Sequence, residues 1–147
     1  MDFYQDLFTS SNPTNFETIL EQIPHVVTEE MNSELMEEFL AQEVEVALKQ
    51  MAPLKSPGPD GMPPIFYQNY WSLVGNDVTD AILMYLNMGT FPPSLGHSFI
   101  TLIPKVKNPE YILQYRPISL SNVLCRVYFK VLANRLKKML PNIVSEH

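Results

Sequence analysis

The sequence predicts an α+β fold, mostly helical, with one small antiparallel hairpin. Three observations lead there. Several segments place apolar residues three and four apart, the spacing that puts them on one face of a helix. Only two stretches, "HSFITLIPK" (97–105) and "LQYRPISLS" (113–121), are short, β-branched and separated by a polar loop, as a hairpin requires. Thirteen prolines against five glycines interrupt the chain often and keep its elements short.

The elements follow in order. "MDFYQDLF" reads as a short amphipathic helix with Phe3, Leu7 and Phe8 on one side. Residues 9–30 read as linker, with one helical turn at 15–21. In "NSELMEEFLAQEVEVALKQM" the stripe Leu40, Val44, Ala47, Leu48 and Met51 predicts a helix over 41–51. Its acids come early and Lys49 late, which suits the helix dipole. Pro53 stops it. "LKSPGPDG" (54–61) is a stiff loop: two prolines fix φ, two glycines admit positive φ, and Asp60 can bond back to its own backbone.

"PPIFYQNYWSLVG" opens with prolines suited to a first helical turn and carries four aromatics, which read as core rather than as a base-stacking platform. Asn76 or Asp77 is placed to cap a helix over 76–88 with the stripe Val78, Ala81, Ile82, Tyr85 and Leu86, ended by Gly89. In the hairpin, Pro104 and Pro117 lack ladder donors and belong at strand ends or edges. "SNVLCRVYFKVLANRLKKML" is the longest helix. Ser121 or Asn122 caps it, Leu124, Val127, Tyr128, Val131, Leu132, Arg135 and Leu136 line it, and Pro141 ends it.

Composition bounds the chemistry. At 147 residues the chain is one domain or part of a larger one. Its 46% hydrophobic content is enough for a core. A single cysteine, Cys125, forms no internal disulfide and reads as a core residue rather than a nucleophile. The N-terminal stretch has no signal-peptide pattern and no run approaches a bilayer span, so an intracellular protein without membrane association is expected. His25, His97 and His147 are isolated from one another, and no metal-ligand spacing appears.

The formal net charge of −6 hides an asymmetry. Residues 1–54 hold eleven acids against Lys49, a net −10; residues 55–147 hold nine bases against five acids, a net +4. Local sign decides where an anion can sit. A hairpin closing about residues 109–110 brings Lys105 and Arg116 together at the open end of its loop, beside Lys107. Such cations can clamp a polyphosphate, although strand edges also carry them simply to prevent aggregation. Lys55 on its proline-glycine loop can meet a phosphate, but the P-loop spacing is absent and a structural turn reads better. Arg126, Lys130, Arg135 and Lys137 surround the last helix, as a solvated face or along a nucleic-acid backbone. No catalytic constellation emerges: after Asp80 there is no Asp, and only Glu110 and Glu146 remain.

Three stretches taken together, "LKSPGPDGMPPIFYQNYW", "FITLIPKVKNPEYILQYRPISLSNV" and "KVLANRLKKMLPNIVSEH", resemble the reverse transcriptase of plant LINE-type non-LTR retrotransposons. The resemblance covers residues 50–147. Residues 1–49 look like the acidic helical and linker segment that precedes the polymerase. On this resemblance the fold is an incomplete reverse-transcriptase fingers and palm domain, the front of a much longer protein. Lys105 stands at the Lys of the family's Ile-Pro-Lys and Arg116 at the Arg of its Arg-Pro-Ile, which implies contact with the triphosphate of an incoming dNTP. Lys55, Lys107, Arg126 and Lys130 are implied nucleic-acid contacts, with RNA template and DNA primer as partners in nucleus or cytoplasm. Leu40 replaces a frequent Thr cap, so that helix start is expected to fray. The full-length enzyme implies Mg²⁺. The family's metal-binding Asp motifs have no counterpart here, so this chain has no cofactor of its own and is expected to be inactive alone. Its competitors are a helical protein-interaction module and a pseudogene product without function.

Overall fold

The computed structural model describes residues 2–14, 16–21 and 25–144. Among these, helices α1 (Asp2–Phe8), α2 (Glu17–Leu20), α3 (Glu29–Met36), α4 (Ala41–Lys49), α5 (Pro64–Asn69) and α6 (Trp71–Asn87) precede a two-stranded antiparallel sheet, β1 (Ser98–Pro104) with β2 (Tyr115–Ser121), and a final helix α7 (Val123–Ile143). The core lies between α4, α5, α6 and α7, from Val44, Ala47, Leu48, Tyr67, Ile82, Leu86, Val123, Val127 and Val131. The hairpin stands outside it: every β1 residue is exposed.

In α1, Phe3, Leu7 and Phe8 are all exposed, so its apolar side covers no core. The helical turn expected at 15–21 is α2; residues 15 and 22–24 lie outside the described residues, as do 145–147 with Glu146 and His147. Helix α3 overlaps the linker read over 9–30 only at Glu29 and Glu30; the sequence assigns no element to its remaining residues, 31–36. It starts at Thr28, whose hydroxyl accepts from the Met31 N–H at 3.2 Å, and Glu29 and Glu30 occupy its first turn. A hydroxyl cap followed by acids satisfies both the orphan donors and the dipole of a helix start.

Helix α4 buries Val44, Ala47 and Leu48. Leu40 is not on that stripe: it precedes the helix and is exposed. The start does not lose its anchor through Leu40, because the Glu43 carboxylate accepts the Leu40 N–H at 2.9 Å, one half of a capping box. At the other end, the Gln68 amide donates to the carbonyls of Leu48 and Met51, both at 3.0 Å. The Leu48 carbonyl also accepts the Met51 N–H at 3.0 Å, so Gln68 reinforces a helix end already tied to its own backbone.

Helix α6 begins five residues before the expected cap at Asn76. Gly75 explains the difference. It does not break the helix but lies buried under Trp71, where an added Cβ would sit 2.9 Å from the indole ring. Val78, Ile82 and Leu86 are buried as expected, while Ala81 is exposed. Gly89 ends the helix at φ 64°, with the Thr90 N–H reaching the Tyr85 carbonyl at 3.1 Å. Of the aromatics between 66 and 71, Tyr67 is buried, Phe66 and Trp71 pack on the core, and Tyr70 is exposed.

Helix α7 passes through Pro141 and ends at Ile143. Proline φ is helical, and in an exposed last turn its missing N–H leaves only one carbonyl to water. Asn122 is the N-cap residue, but its side chain does not bond its own helix. Leu132 and Leu136 point away from the core, and Arg135 is buried in their place.

Candidate nucleic-acid interface

The sheet register runs from Ser98 opposite Ser121 to Pro104 opposite Tyr115, so the hairpin closes between residues 109 and 110. Arg116 lies opposite Ile103. One further bond, Lys105 N–H to the Gln114 carbonyl at 2.7 Å, extends the ladder beyond β1. Lys105 and Arg116 are therefore diagonal neighbours across the strands at the loop end. The Lys105 ammonium donates to the Leu113 carbonyl at 2.8 Å, whereas Arg116 is exposed with no partner among the described residues. Within the loop, Gln114 fixes the backbone: its side-chain carbonyl accepts from Glu110 N–H at 2.6 Å and Tyr111 N–H at 3.2 Å. Lys107 is exposed in the same loop.

Lys55 is exposed on the loop 54–61, apart from the hairpin tip. That loop is built against the start of α7. Asp60 N–H donates to the Asn122 side-chain oxygen at 3.2 Å, and Asp60 in turn accepts from Met62 N–H at 3.1 Å. Gly58 is buried so closely there that an added Cβ would lie 2.3 Å from the Asn122 nitrogen. Gly61 takes φ 71° and closes the turn onto the Gly58 carbonyl at 3.0 Å. Burial and the nearby Asp60 charge push the Tyr67 hydroxyl up from its ordinary value.

The cations of α7 separate. Arg126 is half-buried, with Nε and Nη2 shielded from water and without a partner among the described residues. Lys130 is half-buried and Lys137 exposed. Arg135 is buried, only 8% exposed. Its Nε and Nη2 meet the two Glu43 oxygens, both at 2.7 Å. Its remaining donors reach the carbonyls of Leu35 (3.3 Å), Glu37 and Glu38 (2.8 Å), and the guanidinium stacks over Phe39 at 3.6 Å. Every guanidinium N–H direction is thus occupied, a geometry a lysine cannot reproduce. The hydrogen bonds from Arg135 hold the Glu43 carboxyl below its ordinary range. The one available signal for this role was position: Arg135 falls four residues after buried Val131 and four before buried Met139.

Burial pushes the Cys125 thiol up from its ordinary value, as befits a core residue. Among the described residues no three His, Cys, Asp or Glu side chains gather as a metal site, and no helix is long and apolar enough to cross a membrane.

No protein-family profile matches the chain. It is 30% identical over 144 residues to the "Transposon TX1 uncharacterized 149 kDa protein" of Xenopus laevis. That match covers 97% of this chain, which spans 11% of the length of the relative.

Proposed function

We propose that the chain is the fingers and early palm portion of a LINE-type retrotransposon reverse transcriptase, with Lys105 and Arg116 contacting the triphosphate of an incoming dNTP. The similarity to a transposon protein supports a retroelement origin. The observation that carries the finer reading is the hairpin register, which brings Lys105 and Arg116 to diagonal positions at one end of a two-stranded ribbon. A lysine supplies a point charge and an arginine a planar fork, complementary donors for adjacent phosphates. The Lys105 ammonium would exchange its neutral carbonyl partner for an anionic one. RNA template and DNA primer are the implied partners.

Mg²⁺, which the full-length enzyme would use, is usually held by one or two carboxylates together with substrate phosphates and waters. Among the described residues no three His, Cys, Asp or Glu side chains gather.

Titration of a fluorescent dATP analogue tests the clamp. Lys105→Ala and Arg116→Ala should each weaken binding about tenfold, given roughly 1.5 kcal/mol for a hydrogen bond to a charged group. Unchanged affinity in the double variant would refute it. In primer extension with Mg²⁺ or Mn²⁺ the chain alone should add no nucleotide; measurable extension would remove the premise that its carboxylates are insufficient.

A further inference from the structure

The hairpin has two edges, and the ladder fixes which backbone groups each one leaves free. The Lys105 N–H bonds the Gln114 carbonyl in the same register as the strands, so residues 105 and 114 face each other as a bonded pair. Bonded and non-bonded pairs alternate along an antiparallel ladder. Ile103, Thr101 and Phe99 therefore bond inward to β2, while Ser98, Ile100 and Leu102 turn their N–H and C=O groups outward. The prolines agree with this phase. Pro117 lies opposite Leu102 and Pro104 opposite Tyr115, both non-bonded pairs, so neither ring costs a ladder bond. The same phase makes the two edges unequal. β2 presents Pro117 in the middle of its outward row, so a strand cannot pair along it without losing a central bond. β1 keeps every outward donor from Ser98 to Leu102. It carries no charged residue, every residue in it is exposed, and no third strand covers it among the described residues. Edge strands are ordinarily blunted by lysine, proline or a covering element, and β1 has only Pro104, at its end.

We propose that β1 pairs antiparallel with β1 of a second copy of this chain, about a twofold axis at Thr101, joining two hairpins into one sheet. The inference stands apart from the nucleotide reading, which concerns the hairpin tip. In this register all 7 residues of β1 overlap. Ser98 faces Pro104 of the partner subunit, and Ile100 faces the partner's Leu102. Every outward donor is then used, in about six bonds across the axis. The contact is isologous, the same edge serving on both sides. On one face Ile100 lies beside the partner's Leu102, and on the other Phe99 lies beside the partner's Ile103. These side chains are exposed in the single copy, and opposed apolar pairs stabilise a sheet. Charge selects the orientation. Lys105, Lys107 and Arg116 stand at the tip against Glu110 alone. Antiparallel pairing sets the two basic tips at opposite ends, whereas parallel pairing would set them side by side. The uncharged β1 brings no like charge to the seam. The assembly also closes. Its outer edges are the two β2 strands, each interrupted by Pro117, so growth stops at the dimer.

Sedimentation equilibrium of the full chain, over a range of concentration at low salt, should show monomers in exchange with dimers. Ile100→Pro removes one outward donor from each copy and leaves the β1–β2 ladder whole. Dimerisation should weaken about thirtyfold, at about fivefold per lost bond. Thr101 is exposed, and in the dimer it meets Thr101 of the partner subunit on the axis. Thr101→Lys and Thr101→Glu should each weaken the dimer about fivefold by opposing like charges, and mixing the two chains should restore it as a heterodimer. Circular dichroism and urea unfolding should show these variants folded like the parent. Restoration on mixing is the decisive result, because a folding defect is not cured by a second defective chain. A parent chain that stays monomeric, or that grows into fibres, would overturn the proposal. So would a dimer indifferent to Ile100→Pro, or a mixture no tighter than either Thr101 variant alone. Dissolution by Leu132→Lys with Leu136→Lys instead would move the contact to α7 and overturn it as well. Lys105→Ala with Arg116→Ala should leave the dimer intact while weakening dATP binding, so the clamp and the dimer stand or fall separately.

Discussion

Arg135 carries the largest set of polar contacts of any single side chain among the described residues. It joins α7 to Glu43 of α4 and to three carbonyls between Leu35 and Glu38. Removing one member of a largely buried ion pair strands the other, so Arg135→Ala should destabilise the fold by about 3 kcal/mol in urea unfolding. Arg135→Lys should recover little of that, because one ammonium cannot serve five directions. The pair also sets an acid limit. Since the Glu43 carboxyl is held below its ordinary value of 4.5, its contribution is complete above that pH and is lost as pH falls through the lowered value. Glu43→Gln should therefore be less stable than the parent at neutral pH, with the difference shrinking below about pH 4.5. Unfolding curves with equal pH dependence would contradict the assignment. Gly58 is the other decisive residue. Its missing side chain leaves room for backbone atoms of Ser121 and Asn122, which cannot swing aside. Gly58→Ala should cost about 2 kcal/mol, the scale of overpacking against a fixed neighbour. In contrast, the close atoms at Gly75 belong to the Trp71 ring.

Elements were legible in proportion to how locally they are determined. The hairpin register, the Gly89 terminus and the α4 stripe follow from spacing, turn residues and positive φ, and all could be read in the sequence. Three features could not. Helix α3 has no buried residue, so no apolar periodicity marks it; its Thr28 cap and its tether to Arg135 hold it instead. The true start of α6 depends on one glycine fitting beneath one indole, a contact that propensity scales do not contain. Pro141 lies inside α7 because an exposed final turn tolerates one missing donor. The candidate site divides the same way. Pairing of Lys105 with Arg116 follows from strand register, which sequence supplies. The bond between the Lys105 ammonium and Leu113 and the withdrawal of Arg135 arise from packing of segments far apart in the chain. Asn122→Ala tests one such long-range link: loss of its bond to Asp60 should loosen residues 54–61, with amide exchange there accelerating while the core exchanges as before.

At the scale of the molecule, α7 carries apolar residues on two sides. Val127, Val131 and Met139 face the core, whereas Phe129, Leu132, Leu136 and Leu140 are exposed. The hairpin adds Phe99, Ile100, Leu102 and Ile103, also exposed. Exposed apolar surface of this extent should bind the dye ANS under native conditions. Leu132→Lys with Leu136→Lys should reduce that fluorescence and change the unfolding free energy by no more than about 0.5 kcal/mol per substitution, as expected for surface positions. A large loss of stability would mean that these leucines pack more tightly than their exposure indicates.

The reach of Arg135 has a consequence for synthesis on the ribosome. Its partners at Leu35 and Glu43 precede it by 100 and 92 residues. At about 5–20 residues per second, α3 and the start of α4 wait roughly 5–20 s for the side chain that anchors them. Until then residues 35–38 lack their Arg135 partner, and a nascent chain stalled before residue 135 should remain open to protease between Thr28 and Glu38. Order between Leu35 and Glu43 is thus completed by a helix made about a hundred residues later.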